Sequence, residues 1–178
     1  DVCSSDLHPR SNARCRLDWA VPNDKMPDAQ RLMERAVNDG TKIFIIQSAD
    51  EWSEFIAVNS KAVFKDKFFV GTNWLGGVMF NKPHDIFKEL PVGNALNWPY
   101  QALIHTGVER MGLVMEGEEL LVGAYHTYPM AIGTAMGIVP MGKGSVLFST
   151  LDIYGNIIND SAAGLVAKKL IFNMIDFK

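Results

Sequence analysis

The stretch Pro27-Asp28-Ala29-Gln30-Arg31-Leu32-Met33-Glu34-Arg35-Ala36-Val37-Asn38-Asp39-Gly40-Thr41-Lys42-Ile43-Phe44-Ile45-Ile46-Gln47-Ser48 changes periodicity halfway along. Ala29, Leu32, Met33, Ala36 and Val37 recur at three- and four-residue steps, which predicts an amphipathic helix. Pro27 and Asp28 suit its first turn, and Asp39-Gly40 suits its end. Lys42 to Ile46 is then a continuous apolar run, the pattern of a strand covered on both faces. Ser48 followed by Glu51 has capping-box spacing and predicts a second helix, whose inward stripe is Trp52, Phe55 and Ile56. With the short apolar run Leu17 to Val21 ahead of them, a strand, helix, strand, helix order with short connections predicts an α/β fold around a right-handed, mostly parallel sheet.

Upstream of this unit, Leu17 to Val21 is a short apolar run ended by the turn cluster Pro22-Asn23-Asp24. Residues 8–16 have no periodicity. Asp1-Val2-Cys3-Ser4-Ser5-Asp6-Leu7 is what the end of a common sequencing adapter would encode, and its last codon gives Leu whatever base follows. Residues 1–16 are therefore read as an artefactual or unreliable segment, and residues 17–178 as one α/β domain truncated at its N-terminus. Setting aside Cys3 leaves Cys15 as the only cysteine, so no internal disulfide is available and the redox compartment is not indicated.

Downstream, Gly71 to Tyr100 is punctuated by Gly76, Gly77, Pro83, Pro91, Gly93 and Pro99. That reads as a long irregular excursion with one short strand or turn at Val78 to Phe80, and loops of such length usually serve function or contact. Strands are predicted at Met111 to Met115, Leu120 to Ala124, Ala131 to Val139 and Ser145 to Leu151. Glu116-Gly117-Glu118 and Met141-Gly142-Lys143-Gly144 are the turns, the latter a hairpin. Asp160 or Ser161 opens a closing helix with Ala163, Val166, Ala167, Leu170, Ile171, Met174 and Ile175 on one face.

Composition limits the function. The 178 residues are 48% hydrophobic and 21% charged, the balance of a folded globular domain. With 17 Lys+Arg against 20 Asp+Glu and a net charge of −3, the chain lacks the basic footprint of a nucleic-acid binder. No apolar run approaches the ~18 residues of a membrane-spanning helix.

The motifs of common chemistries are missing as well. Neither G-x-G-x-x-G nor G-x-x-x-x-G-K-[ST] occurs, and Met141 to Gly144 is better explained as a hairpin turn than as a phosphate loop. There is no G-x-S-x-G elbow and no cysteine at an equivalent place. His8, His84, His105 and His126 show no metal-ligand spacing; His84, next to Pro83 and Asp85, reads as a local cap rather than a ligand. No cofactor is expected. Among the acids, Glu116, Glu118 and Glu119 crowd a turn, and Asp152 is the one at a strand end, where a polar cap is the ordinary explanation.

The aromatics are the remaining candidates. Trp74, Trp98, Tyr100, Tyr125 and Tyr128 fall in or beside irregular segments rich in Asn and Gly. With Asn73, the set Trp74, Trp98, Tyr100 and Tyr125 fits either a carbohydrate-stacking surface or, more commonly for loop aromatics, anchors of a core or interface.

Two stretches carry a family resemblance. Phe69-Val70-Gly71-Thr72-Asn73-Trp74-Leu75-Gly76-Gly77-Val78-Met79-Phe80, with His84 to Pro91 and Leu96-Asn97-Trp98-Pro99-Tyr100, resembles the C-terminal region of large bacterial glycoside hydrolases of the family 2 type. These are β-galactosidase-like or β-glucuronidase-like proteins. His84 to Pro91 is similar to their H-P-x-F-x-x-L-P turn, with Asp85 in place of Pro. Gly142 to Asp152 resembles their G-x-G-x-[IV]-x-x-S-T-L-D strand. The resemblance runs from about Lys42 onward and implies a flavodoxin-like, class I glutamine amidotransferase-like three-layer sandwich, akin to the trimerisation domain of some β-galactosidases.

Such domains are accessory, and the catalytic acid of the clan follows Asn in an Asn-Glu pair that this sequence does not contain. The resemblance thus implies a non-catalytic domain of a larger hydrolase of O-glycosidic bonds. Its partners would be the remaining domains of the parent chain, with a second copy or a carbohydrate as further options. A carbohydrate-binding module built on the loop aromatics is the alternative. A stand-alone ThuA-like or amidotransferase-like enzyme is a third reading, for which no nucleophile or metal set is found.

Overall fold

The computed structural model of the chain describes residues 26–70, 77–93, 95–96, 98–105, 111–127 and 130–177. The expectations for residues 1–16 and for Leu17 to Val21 lie outside them. Seven strands form one mixed sheet, with five helices among the described residues.

The helix read from the opening stretch is α1 (Met26–Asp39), and the apolar run is β1 (Lys42–Ile45). Ala29, Met33 and Ala36 of α1 are buried, while Leu32 and Val37 lie at its exposed margin. Gly40, at φ 76°, turns the chain out of α1. The next helix, α2 (Ala49–Val58), buries Phe55 and Ile56 and half-buries Trp52, whose ring meets Phe55 edge-on at 5.8 Å. The capping box is not formed. Ser48 occupies the N-cap position with φ 51°, and its side chain makes no cap; its carbonyl instead accepts from the N–H groups of Glu51 (3.0 Å) and Trp52 (3.2 Å).

The expectation of a mostly parallel sheet is overturned. The strands are β2 (Val63–Phe69), β3 (Gly77–Asn81), β4 (Met111–Glu116), β5 (Glu119–His126), β6 (Ala131–Met141) and β7 (Gly144–Ser149). Only β1 and β7 pair in parallel; β2 with β4, β3 with β5, β4 with β6, β5 with β6 and β6 with β7 are antiparallel. The cause is connection length. A parallel crossover needs a dozen or more residues, whereas Gly142-Lys143 alone joins β6 to β7 and the β5–β6 connection is nearly as short. Gly142 takes φ 60° as the first central residue of the hairpin, the conformation of a II′ turn. β2 was not foreseen: Lys65-Asp66-Lys67 breaks its alternation, and it lies at a sheet edge, where such charges discourage further pairing.

The core lies on both faces of the sheet. On one side, α1 and α2 pack over Ile45, Val139, Met141, Val146 and Phe148. On the other, the excursion, α3 (Gln101–His105), α4 (Ile153–Ile157) and α5 (Ala162–Asp176) cover Met79, Ala124, Met136, Ile138 and Leu147. The alternation of Val146, Leu147 and Phe148 between the two sides is strand period two, and it makes three layers. In α5, Ala167, Leu170 and Met174 point inward as expected, but Ile175 is exposed. Ser161 caps this helix, its Oγ accepting from Gly164 N at 3.3 Å.

The excursion is held to the body by two buried asparagines. Asn81 Nδ2 donates to Pro91 O (2.8 Å), and Asn173 Nδ2, on α5, donates to Ile86 O and Lys88 O (both 2.9 Å). Backbone bonds from Leu96 N to Met79 O (2.7 Å) and Gly93 N to Asn81 O (3.1 Å) close the segment against β3. No helix among the described residues is long and apolar enough to cross a membrane.

Candidate functional sites

Three surfaces stand out among the described residues, a polar cleft, a charged cleft and an apolar sheet face. The polar cleft follows from the one parallel pair. Because β1 and β7 run the same way, with Ile45 opposite Phe148, their carboxyl ends open together, the place where α/β sheets bind ligands. The cleft measures about 460 Å³ and is lined by Ser48, Asp50, Glu51, Ser149, Thr150 and Asp152 among others.

Ser48 sits there at a strand-to-helix turn in the left-handed region, a conformation that costs a non-glycine residue ~1–2 kcal/mol. No G-x-S-x-G pattern announces that turn. A serine nucleophile would further need a base within hydrogen-bond reach, and the lining residues include neither histidine nor cysteine. Two of its three acids are engaged structurally: Asp50 pairs with Lys67 Nζ at 2.8 Å, and Asp152 accepts from Gly155 N (2.9 Å) and Asn156 Nδ2 (3.2 Å), capping α4. Among the described residues, no three His, Cys, Asp or Glu side chains come together as metal ligands. His84 is a local cap, its Nδ1 accepting from Ile86 N at 3.2 Å.

A second, charged cleft of about 610 Å³ lies between the excursion and α5, lined by Asp85, Lys88, Glu89, Lys169, Asn173 and Asp176. Lys169 Nζ donates to Glu89 Oε2 at 2.6 Å and holds that carboxyl below the usual carboxylate range.

The aromatic candidates separate. Asn73, Trp74 and Tyr128 lie outside the described residues, and Trp98 is placed by its backbone in the 3₁₀ turn Trp98–Tyr100. Tyr100 belongs to the core: it is 2% exposed, its hydroxyl donates to Pro91 O at 2.7 Å, and its ring meets Phe87 edge-on at 6.4 Å. Burial pushes its phenol up to about 12, against a smaller opposing effect of the Asn81 hydrogen bond. A ring so enclosed offers no face to a sugar.

Tyr125 is on the other side of the sheet. Val78, Tyr125 and Ile132 stand directly opposite one another across β3, β5 and β6, and Phe80, Gly123 and Thr134 form the next row on the same face. The intervening row of Met79, Ala124 and Gly133 faces the core. Outward, Ile132 is 65% exposed and Phe80 40% exposed, and Tyr125 is half-buried. The Phe80 ring lies over Gly123, where any Cβ would collide with it. Met130, 77% exposed at the approach to β6, adjoins the face. The alternation of Val78 and Phe80 was the available sequence signal for this surface, but two residues in a short strand are too few to fix which face is outward.

Compared with known proteins, the chain matches no family model, no curated protein and no solved structure.

Proposed function

We propose that this chain is a non-catalytic α/β accessory domain of a larger hydrolase of O-glycosidic bonds, and that it works by making contacts with the other domains of its parent. The observation that carries the contact role is the outward sheet face of Val78, Phe80, Tyr125 and Ile132. Phe80 and Ile132 are exposed there with Val78 and Tyr125 half-buried beside them, and large apolar residues gathered on one face rather than scattered are characteristic of a docking site. The glycosidic part of the reading rests on the resemblance of residues 69–100 and 142–152 to hydrolases of the family 2 type.

A carbohydrate-binding surface is the less favoured reading. Stacked sugars need hydroxyl partners beside the ring. Among the described residues, Tyr125 is flanked across the sheet by Val78 and Ile132, with Phe80 in the next row, and Thr134 of that row is buried and spends its hydroxyl on Glu118 Oε1 at 2.7 Å.

The test has two parts. Purified chain is assayed with aryl β-glycosides, and no turnover is expected; activity abolished by Asp152→Asn would overturn the non-catalytic reading. The coding sequence upstream is then recovered, and amide exchange of residues 78–80 and 130–132 is compared between this chain and its parent. Slower exchange in a parent that contains a glycosidase domain supports the proposal, and unchanged exchange removes it.

A further inference from the structure

The polar cleft holds groups that the fold leaves unused. Thr150 ties its wall together: its N–H donates to Ala135 O at 2.8 Å and its Oγ1 to Met111 O at 2.8 Å, so the end of β7 is fastened to β6 and β4. Asp50 and Asp152 are spent on Lys67 and on α4. Gln47, Glu51 and Tyr154, exposed on the same cleft, have no polar side-chain partner among the described residues. Ser149 is the telling residue. It is 1% exposed and its Oγ accepts from Leu151 N at 3.2 Å, yet its own hydroxyl proton meets no acceptor among the described residues. A buried donor left unspent is uncommon. Because Ser149 lines the cleft, what occupies the cleft is what completes that bond.

These groups select a chemistry. Three carboxylates and no lysine, arginine or histidine line the cleft, which disfavours phosphates and other anions. An organic ammonium would suit Glu51, but it only donates, and so leaves the Ser149 proton without an acceptor. A hydroxyl both donates and accepts. One ligand with several hydroxyls therefore serves Glu51 by donating, Ser149 by accepting and the Gln47 amide in either sense. Tyr154, 57% exposed, adds an aromatic face. Sugars combine such hydroxyls with an apolar face of C–H groups, and the condition that Tyr125 fails, polar partners beside the ring, is met at Tyr154. A cleft of about 460 Å³ has the size of a small-ligand site.

We propose that the cleft binds a neutral sugar, with Glu51 accepting from one hydroxyl, Ser149 and Gln47 bonding to others, and Tyr154 stacking on the ring. This binding site adds to the contact role and lies on a different surface from Phe80 and Ile132, so neither reading depends on the other.

The amide spectrum of the isotopically labelled chain tests it. Cellobiose, lactose and maltose are titrated to ~10 mM, a concentration that nearly saturates a millimolar Kd, with putrescine and inorganic phosphate as comparisons. Shifts confined to residues 46–51 and 149–155 are expected with at least one sugar. Glu51→Ala removes an ionised acceptor and Tyr154→Ala removes the ring; each is expected to weaken binding about tenfold, whereas Tyr154→Phe retains most of it. Both residues are exposed, so the same spectra show binding on a folded chain. The absence of any sugar-dependent shift, shifts outside the cleft, or tighter binding of putrescine or phosphate than of every sugar overturns the proposal. Affinity unchanged in both Glu51→Ala and Tyr154→Ala overturns it as well. The contact role survives each of these results, because amide exchange of residues 78–80 and 130–132 tests it separately.

Discussion

Tyr100 Oη lies 3.2 Å from Asn81 Nδ2, and both groups donate to the carbonyl of Pro91, at 2.7 and 2.8 Å respectively. One buried carbonyl thus gathers β3, the excursion and the 3₁₀ turn at residues 98–100. Tyr100→Phe keeps the ring and removes one donor, so a loss of about 1 kcal/mol is expected. Asn81→Ala removes the amide from the same buried cluster and takes away a larger side chain, for a loss of about 2–3 kcal/mol. Urea unfolding of the two variants checks the order; equal losses would mean that the amide does not organise the cluster.

The same tyrosine sets an alkaline limit. Its phenol rises from the ordinary 10.0 to about 12 in the folded chain, because burial disfavours the phenolate. Between those values the unfolded chain has released its proton and the folded chain has not, so folding binds a proton. The contribution is fully present below pH ~10 and is lost as pH rises toward ~12, amounting to roughly 2 kcal/mol. Unfolding free energies measured near pH 9 and near pH 11.5 should therefore fall more steeply for the wild type than for Tyr100→Phe. Parallel slopes in the two proteins would show that the phenol titrates normally.

How much of this was legible beforehand depended on where the determining contacts lie. α1, β1, the hairpin at Gly142-Lys143 and the start of α5 after Asp160-Ser161 are decided within a few residues, and each formed as read. The direction of the strands is decided by pairing across the chain, and there the apolar run of β1 suggested more parallel neighbours than it has. Ser48 shows the same limit at the cleft. Its spacing from Glu51 satisfies a capping box, but the turn from β1 into α2 places its backbone in the left-handed region and its side chain makes no cap. For the candidate aromatics, sequence could place Tyr100 and Tyr125 near turns but could not tell core from surface, since that depends on which side of β3 and β5 each one meets.

Ser48 offers a direct measure of that strain. Its side chain makes no cap bond, so Ser48→Gly removes little contact and relieves an unfavourable φ of 51°. Relief of ~1–2 kcal/mol, less the extra flexibility that glycine gives the unfolded chain, leaves an expected stabilisation of about 0.5–1 kcal/mol. A thermal shift upward is the expected outcome. A downward shift would mean that the serine hydroxyl holds a structural role in the cleft.

Gly142 gives the opposite sign. It too has a positive φ, but a Cβ there would overlap the backbone of Val37 at the end of α1, and Lys143 N donates to Val37 O at 3.0 Å. Gly142→Ala therefore adds a clash that only movement of α1 against the β6–β7 hairpin can relieve. Backbone gives way less easily than a flexible side chain, so the cost should exceed the ~1 kcal/mol of the left-handed conformation and reach about 2–4 kcal/mol. Amide exchange would be expected to speed up in the second half of α1 and at Gly144 and Ser145, leaving β3 and β5 protected. Uniform loss of protection would indicate that α1 and the hairpin unfold together with the rest of the sheet, and that the two sides of the core form one cooperative unit.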